Sequence, residues 1–202
     1  GEVDYKDEEN YIYFKYKGKW KDKVPHGKGE LTDGDDNIYK GYFKYGLEWG
    51  KGKYTHLNGD VYKGEFKNGL SEGQGKYTYS DGSVYEGEFK NDKWNGQGKM
   101  TYSNGSVYEG QFKNDKMHGL GKLIYSYGSV QEGDYLYHEF KGIYVGERKN
   151  GLPDGQGKMT DSNGDVLNLT GYTALALTQF HNLLLQPHST SGEKSTSCES
   201  GR

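Results

Sequence analysis

Few residues in this chain could carry out chemistry, and their spacing does not support an active site. Paired glycines in the form Gly-x-Gly recur along the sequence, but the third glycine and the strand–turn–helix context of a dinucleotide-binding loop are missing. Cys198, His181 and His188 lack the spacing of metal ligands. No nucleophile is placed beside a base, and the carboxylates lie in charged segments. We therefore predict a non-enzymatic protein without catalytic residues, a metal site or a cofactor.

The composition excludes several classes of protein. The chain has 202 residues, 33 glycines, 20 tyrosines and a net charge of −3. The low aliphatic content does not suit a parallel sheet covered by helices, and the near balance of charge gives no drive towards nucleic acid. The acidic start is unlike a signal peptide, and no apolar run approaches the ~18 residues of a membrane-spanning helix. We predict a cytoplasmic protein without a nucleic-acid partner.

A repeat of 23 residues organises most of the sequence. Each unit begins with Tyr-x-Gly, carries an aromatic residue four positions after the tyrosine, and contains a pair of glycines further on. The pattern breaks at Gln131, where a tyrosine should stand, and it resumes at Tyr144. The five regular units begin at Tyr16, Tyr39, Tyr62, Tyr85 and Tyr108.

The fourth unit, YEGEFKNDKWNGQGKMTYSNG from Tyr85 to Gly105, resembles the MORN (membrane occupation and recognition nexus) repeat. The resemblance covers residues 16–166, roughly three quarters of the chain. It implies an assembly module of cilia, flagella or the cortical cytoskeleton, or an array beside a phosphoinositide kinase or lysine methyltransferase domain. From it we predict a scaffold or adaptor in a ciliary, axonemal or cytoskeletal complex. One alternative is a peripheral tether to phosphoinositide membranes through ladders of lysines, and another is the regulatory fragment of a larger enzyme.

Apolar and aromatic residues alternate with charged ones at a period of two, which predicts two short strands in each unit. We therefore predict an all-β fold, an elongated single-layer antiparallel meander of about 14 strands. Residues 1–15 would form an N-terminal cap and residues 16–166 the array, with a truncated sixth unit at 131–143 and a seventh at 144–166. Residues 167–188 would form a C-terminal cap with a short helix from Thr173 to Leu185, followed by a disordered tail at 189–202.

Loop lengths predict the register of the strands, because a slip of one residue moves every side chain to the other face. A three-residue loop at Ser80–Gly82 would pair Tyr77 with Tyr85. An even loop from Lys90 to Asn95 would pair Phe89 with Gly96. With this register, all the rings and paired glycines lie on one face.

That face would carry two ridges of rings beside a bare row of glycines. The ridges stand about 13 Å apart, close to the ~10–12 Å diameter of a helix. We predict a groove that binds a helical or extended segment of a protein partner, or a second copy of the chain. The alternative is that the stripe is the packing surface of the sheet itself. The predicted groove residues are Tyr62, Phe66, Tyr77, Tyr85, Phe89, Met100, Tyr108, Phe112, Gly64, Gly87 and Gly110.

The opposite face carries ladders of lysines that could contact an anionic membrane or an acidic protein. Interspersed glutamates favour a plainer interpretation, a solvated face of mixed charge. The residue after the leading tyrosine changes along the array from Lys17, Lys40 and Lys63 to Glu86, Glu109 and Glu132. The first half should therefore bind anions better. The candidate lysines are Lys21, Lys44, Lys67, Lys90 and Lys113.

Overall fold

The computed structural model describes residues 2–6, 13–136, 139–149, 152–161 and 163–172. These residues form one antiparallel sheet in which each strand pairs with the next along the chain. The predicted meander is confirmed, with fifteen strands in the described part of the chain. The predicted terminal helix and tail lie outside the described residues. The strands are β1 (Glu2–Lys6), β2 (Tyr13–Lys21), β3 (Val24–Thr32), β4 (Ile38–Lys44), β5 (Leu47–Thr55), β6 (Val61–Lys67), β7 (Leu70–Thr78), β8 (Val84–Lys90), β9 (Lys93–Thr101), β10 (Val107–Lys113), β11 (Lys116–Ile124), β12 (Val130–Leu136), β13 (Glu139–Lys149), β14 (Leu152–Thr160) and β15 (Val166–Tyr172).

The connection between units is the predicted three-residue loop. Between β7 and β8, the Tyr79 N–H donates to the carbonyl of Ser83 (2.8 Å), and the Gly82 N–H donates to the carbonyl of Tyr79 (3.0 Å). Gly82 has a φ of 89°, which glycine adopts without steric cost. Tyr77 lies opposite Tyr85, so the predicted register of this connection is confirmed.

The register predicted within a unit is wrong near the hairpin end. Asn91 and Asp92 form a two-residue turn with φ values of 49° and 63°, and Phe89 pairs with Trp94 instead of Gly96. Turns with two left-handed residues match the natural twist of a hairpin. The two surplus residues of β9 therefore form a bulge, at which Gly96 adopts a φ of 77°.

The core is a continuous ladder of aromatic rings on one face of the sheet. Each leading tyrosine contacts the aromatic ring four residues later in its own unit and a ring of the following unit. These contacts are edge to face, with centroid distances of 4.8 to 5.2 Å. The aromatic ladder consists of Trp20, Tyr16, Phe43, Tyr39, Phe66, Tyr62, Phe89, Tyr85, Phe112, Tyr108 and Tyr135.

The truncated sixth unit changes the direction in which the array faces. Tyr135 pairs with Phe140, but a register shift then places Asp134 opposite Gly142. Because β13 has one extra residue at this shift, Tyr144 shares the side of Asp134 and not that of Tyr135. The Tyr144 N–H donates to Asp134 Oδ2 (3.0 Å). The seventh unit, which begins at Tyr144, therefore has its tyrosine on the side opposite to the aromatic ladder.

The described residues contain no helix that is long and apolar enough to cross a membrane.

Candidate functional site

The row of glycines that we predicted as an open groove is covered by tyrosine rings. The Tyr85 ring lies over Gly87 and Gly98, and a Cβ atom added to Gly98 would meet its Cε2 atom at 2.6 Å. The Tyr85 hydroxyl donates to the carbonyl of Glu88 (3.0 Å), which holds the ring in place. Tyr16, Tyr39, Tyr62 and Tyr108 make the same contacts in their own units.

The predicted groove residues are therefore parts of a packed surface, and the expectation of an open groove is wrong. Each glycine lacks a side chain on this face, so the tyrosine ring folds down into the space above it. The alternative that the stripe is the packing surface of the sheet agrees with the structure. Tyr77 is half-buried, and Gly64, Gly87 and Gly110 lie beneath tyrosine rings. The other predicted residues are at most 6% exposed: Tyr62, Phe66, Tyr85, Phe89, Met100, Tyr108 and Phe112.

Accessible rings on this face come from residues that we did not predict. Tyr79, Tyr102 and Tyr125 stand at the same repeat position, where a strand enters the three-residue loop, and all are half-buried. Trp94 stacks on Tyr85 at a centroid distance of 4.4 Å and also meets Tyr79 at 6.3 Å. We call Tyr79, Trp94, Tyr102 and Tyr125 the turn aromatic row.

The hydroxyl groups of the turn aromatic row are suited to donating hydrogen bonds. Burial raises the pKa of Tyr79 to about 12, and burial also raises the pKa of Tyr102. Both phenols are therefore protonated at neutral pH. Within the described part of the chain, neither hydroxyl makes a hydrogen bond. Both can donate to a group that binds from outside.

Successive three-residue loops are tied together by side-chain oxygens. The Ser83 hydroxyl accepts a hydrogen bond from the Ser103 N–H (3.0 Å), and the Ser106 hydroxyl accepts one from the Ser126 N–H (3.1 Å). Asn37 and Asp60 accept equivalent bonds at 3.0 and 2.8 Å. These bonds hold the loops, and with them the turn tyrosines, in a regular line.

On the charged face, the predicted lysines lie at one margin of the sheet. Lys67 pairs with Leu70 and Lys90 with Lys93, next to the two-residue turns. The Lys44 ammonium lies 4.5 Å from the ring centroid of Trp49. The whole set, at equivalent positions, is Lys21, Lys44, Lys67, Lys90 and Lys113.

A second set of lysines crosses the middle of the charged face. Lys40, Lys53, Lys63 and Lys76 lie directly opposite one another on β4, β5, β6 and β7. We call these four residues the lysine row. Beyond it the signs alternate, in the order Glu86, Lys99, Glu109, Lys122 and Glu132. A shallow, open depression at the boundary is lined by Lys63, Lys76, Lys99, Glu86 and Glu109, among others.

A comparison with protein-family models identifies the repeat. The MORN repeat model matches residues 16–38, 39–61, 62–84, 85–107, 108–130 and 144–166. The chain belongs to the MORN-repeat family. No curated protein matches the chain. The six MORN repeats contain every ring of the aromatic ladder except Tyr135, and the unmatched residues 131–143 are those at which the array reverses its face.

The MORN repeats in the described residues show no cluster of histidine, cysteine and carboxylate groups that could hold a metal ion. Their carboxylates serve other purposes. Asp60 and Asp33 accept hydrogen bonds from the hydroxyls of Tyr77 (3.1 Å) and Tyr54 (2.7 Å), and Glu30 and Glu86 pair with lysines.

The bond between successive loops should be measurable in the fourth MORN repeat. We expect Ser106→Ala to lower the free energy of unfolding by about 1 kcal/mol, because it removes the acceptor of the Ser126 N–H. Ser129 is a matched control: it stands at the same repeat position, but it is exposed and the truncated sixth unit has no following loop for it to bind. Urea unfolding of both variants compares them. An equal effect at both positions would contradict a role for the loop bond.

Proposed function

We propose that this protein is a non-catalytic scaffold that binds a protein partner through the turn aromatic row, within a larger assembly such as a ciliary, axonemal or cytoskeletal complex. The observation that carries the proposal is the recurrence of half-exposed tyrosines at one position of three consecutive repeats. Membership of the MORN-repeat family supports a scaffold or binding role. A cytoplasmic location follows from the same proposal.

The chemistry of the row suits a protein partner. Tyrosine and tryptophan combine a large apolar ring with a polar group, and they are enriched among the residues that dominate binding energy. Trp94 is held by its stack on the buried Tyr85 ring, so its position is set before a partner binds. A rigid ring loses little conformational entropy on binding.

The spacing of the row suits a helical partner. Successive turn tyrosines are separated by two strands, or about 9.5 Å. Residues seven apart on a helix are separated by about 10.5 Å along its axis. A helix lying across the strands could therefore place one apolar side chain against each of Tyr79, Tyr102 and Tyr125. This geometry resembles the recognition of amphipathic helices by apolar surfaces.

Substitution of the row tests the proposal. We expect Tyr79→Ser combined with Tyr102→Ser to reduce capture of the native partner at least tenfold, because both rings lie at the proposed contact. The measurement is affinity purification of the tagged full-length protein from its own cells, with the partner quantified by mass spectrometry.

The control is Tyr45→Ser, which removes an exposed ring at a hairpin turn away from the row. Far-ultraviolet circular dichroism should show the same sheet content for all variants. The proposal is abandoned if the double variant, still folded, retains every partner that the unchanged protein captures.

A further inference from the structure

The lysine row is an arrangement that opposes folding. Like charges directly opposite each other in a sheet destabilise it, and here three consecutive cross-strand pairs are Lys with Lys. The two ends of the row are neutralised, by Glu30 at 3.0 Å from Lys40 and by Glu86 at 2.8 Å from Lys76. Lys53 and Lys63, in the middle, form no ion pair with any described residue.

A stripe of β-branched residues runs beside the lysine row. Ile38, Thr55, Val61 and Thr78 lie opposite one another on the same four strands. Each is two residues from a lysine of the row, so both sets leave the sheet on the same side. All four are half-buried. The surface therefore offers a basic line and, about 6.6 Å away along the strands, a line of methyl groups.

We propose that the lysine row binds an amphipathic helix of a partner protein that carries one carboxylate on each turn beside an apolar stripe. The helix would lie perpendicular to the strands. Adjacent strands are about 4.8 Å apart, and one helical turn rises about 5.4 Å, so successive turns follow successive lysines across all four strands. Its apolar stripe would cover Ile38, Thr55, Val61 and Thr78.

An extended acidic segment fits this row less well. Side chains on one side of a strand repeat every 6.6 to 6.8 Å or so, and this spacing loses register with the lysines after two steps. A clustered anion such as a phosphorylated lipid headgroup would need lysines that converge on one point. The row is instead linear, and of the neighbouring stripe Ile38 and Val61 offer no donor to a phosphate. The inference does not rest on the scaffold proposal, because it concerns the opposite face of the sheet.

The test uses a synthetic stapled helix about four turns long, with one glutamate per turn beside a leucine stripe. We expect the full-length protein to bind it in fluorescence anisotropy, with affinity that falls as sodium chloride is added. Lys63→Glu should weaken binding at least tenfold. The same change should raise the unfolding midpoint by about 1–4 °C, because it converts two like-charge pairs into opposite-charge pairs. If Lys63 had only a structural role, the variant would not show a higher unfolding midpoint together with weaker binding of the peptide.

The control is Lys93→Glu, which makes the same change in net charge and relieves the Lys90–Lys93 pair at the margin of the sheet. The affinity of this variant for the peptide should stay within a factor of two of that of the unchanged protein. A peptide of the same composition with its glutamates spread around the helix should bind at least tenfold more weakly. Equal binding of both peptides, or equal losses from both variants, would overturn the proposal. So would binding of vesicles that contain phosphatidylinositol bisphosphate, sensitive to Lys63→Glu, without binding of the ordered peptide.

Discussion

Phe89→Ala should lower the free energy of unfolding by about 3–5 kcal/mol, the usual cost of truncating a buried phenylalanine. Phe89 is 5% exposed and meets Tyr85 within its own repeat and Tyr62 in the preceding repeat, both edge to face. No second layer of structure covers this face in the described residues. The ring is therefore a direct link between two repeats, and its loss should open the sheet between them. Urea unfolding followed by tyrosine and tryptophan fluorescence measures the effect.

The control for this experiment is Leu57→Ala, which truncates a side chain that is 71% exposed in a loop. It should change the free energy of unfolding by less than about 0.5 kcal/mol. If Phe89→Ala cost no more than the control, the aromatic ladder would not be the core of the array. Because the substitution disturbs the fold, it is unsuitable as a test of partner binding.

Gly98→Ala should cost about 3 kcal/mol, because the added methyl group would overlap the Tyr85 ring. Gly98 does not have a left-handed φ, so the cost comes from lost space and not from backbone strain. A double-mutant cycle tests this cause. In a Tyr85→Leu background the shorter side chain does not reach Gly98, and the additional cost of Gly98→Ala should fall below about 1 kcal/mol.

The contrasting position is Gly82, where a Cβ atom would meet no other atom within 4 Å but the φ is 89°. Gly82→Ala should be destabilising to the same degree with either Tyr85 or Leu at position 85, since backbone strain does not depend on a distant ring. An unchanged cost of Gly98→Ala in the Tyr85→Leu background would show that the ring is not what excludes a side chain there.

The sheet, its strand order and the register of the loops between units could be predicted from the sequence. The alternation of side chains and the Ser-Asp-Gly loop constrain these features locally. The register within a unit could not be predicted from loop length alone, because a bulge at Gly96 absorbs two residues. That error placed Trp94 in a loop, although it lies in β9 opposite Phe89.

The candidate site could be predicted only in part. Alternation shows on which side of a sheet a residue lies, but not whether its ring stands up or folds over its neighbours. Tyr85 folds over Gly87 and Gly98, so the predicted groove is closed. Tyr79 and Tyr102 continue the alternation of Tyr77 and Met100, but each follows the last residue of its strand, and the pattern does not show that these rings stay accessible. The lysine row follows from correct cross-strand pairing, since Lys53 and Lys63 are ten residues apart in sequence but opposite in space.

The first part of β13 completes the truncated sixth unit, and its second part begins the seventh unit. The two units therefore share one strand, and the number of strands decides which side of the sheet a later repeat faces. Adding or removing a whole repeat changes the strand count by two and leaves the sidedness of everything downstream intact. The interval between Gln131 and Tyr144 is only 13 residues long, and it therefore has one strand fewer than a whole repeat. As a result, the tyrosine side of the last repeat faces the opposite side of the sheet, away from the aromatic ladder. Its sequence has Arg148 where the first five repeats have an aromatic residue. One side of the sheet therefore carries two different surfaces, the charged face of the first five repeats and the tyrosine face of the last, whereas an uninterrupted array would carry one kind of surface on each side.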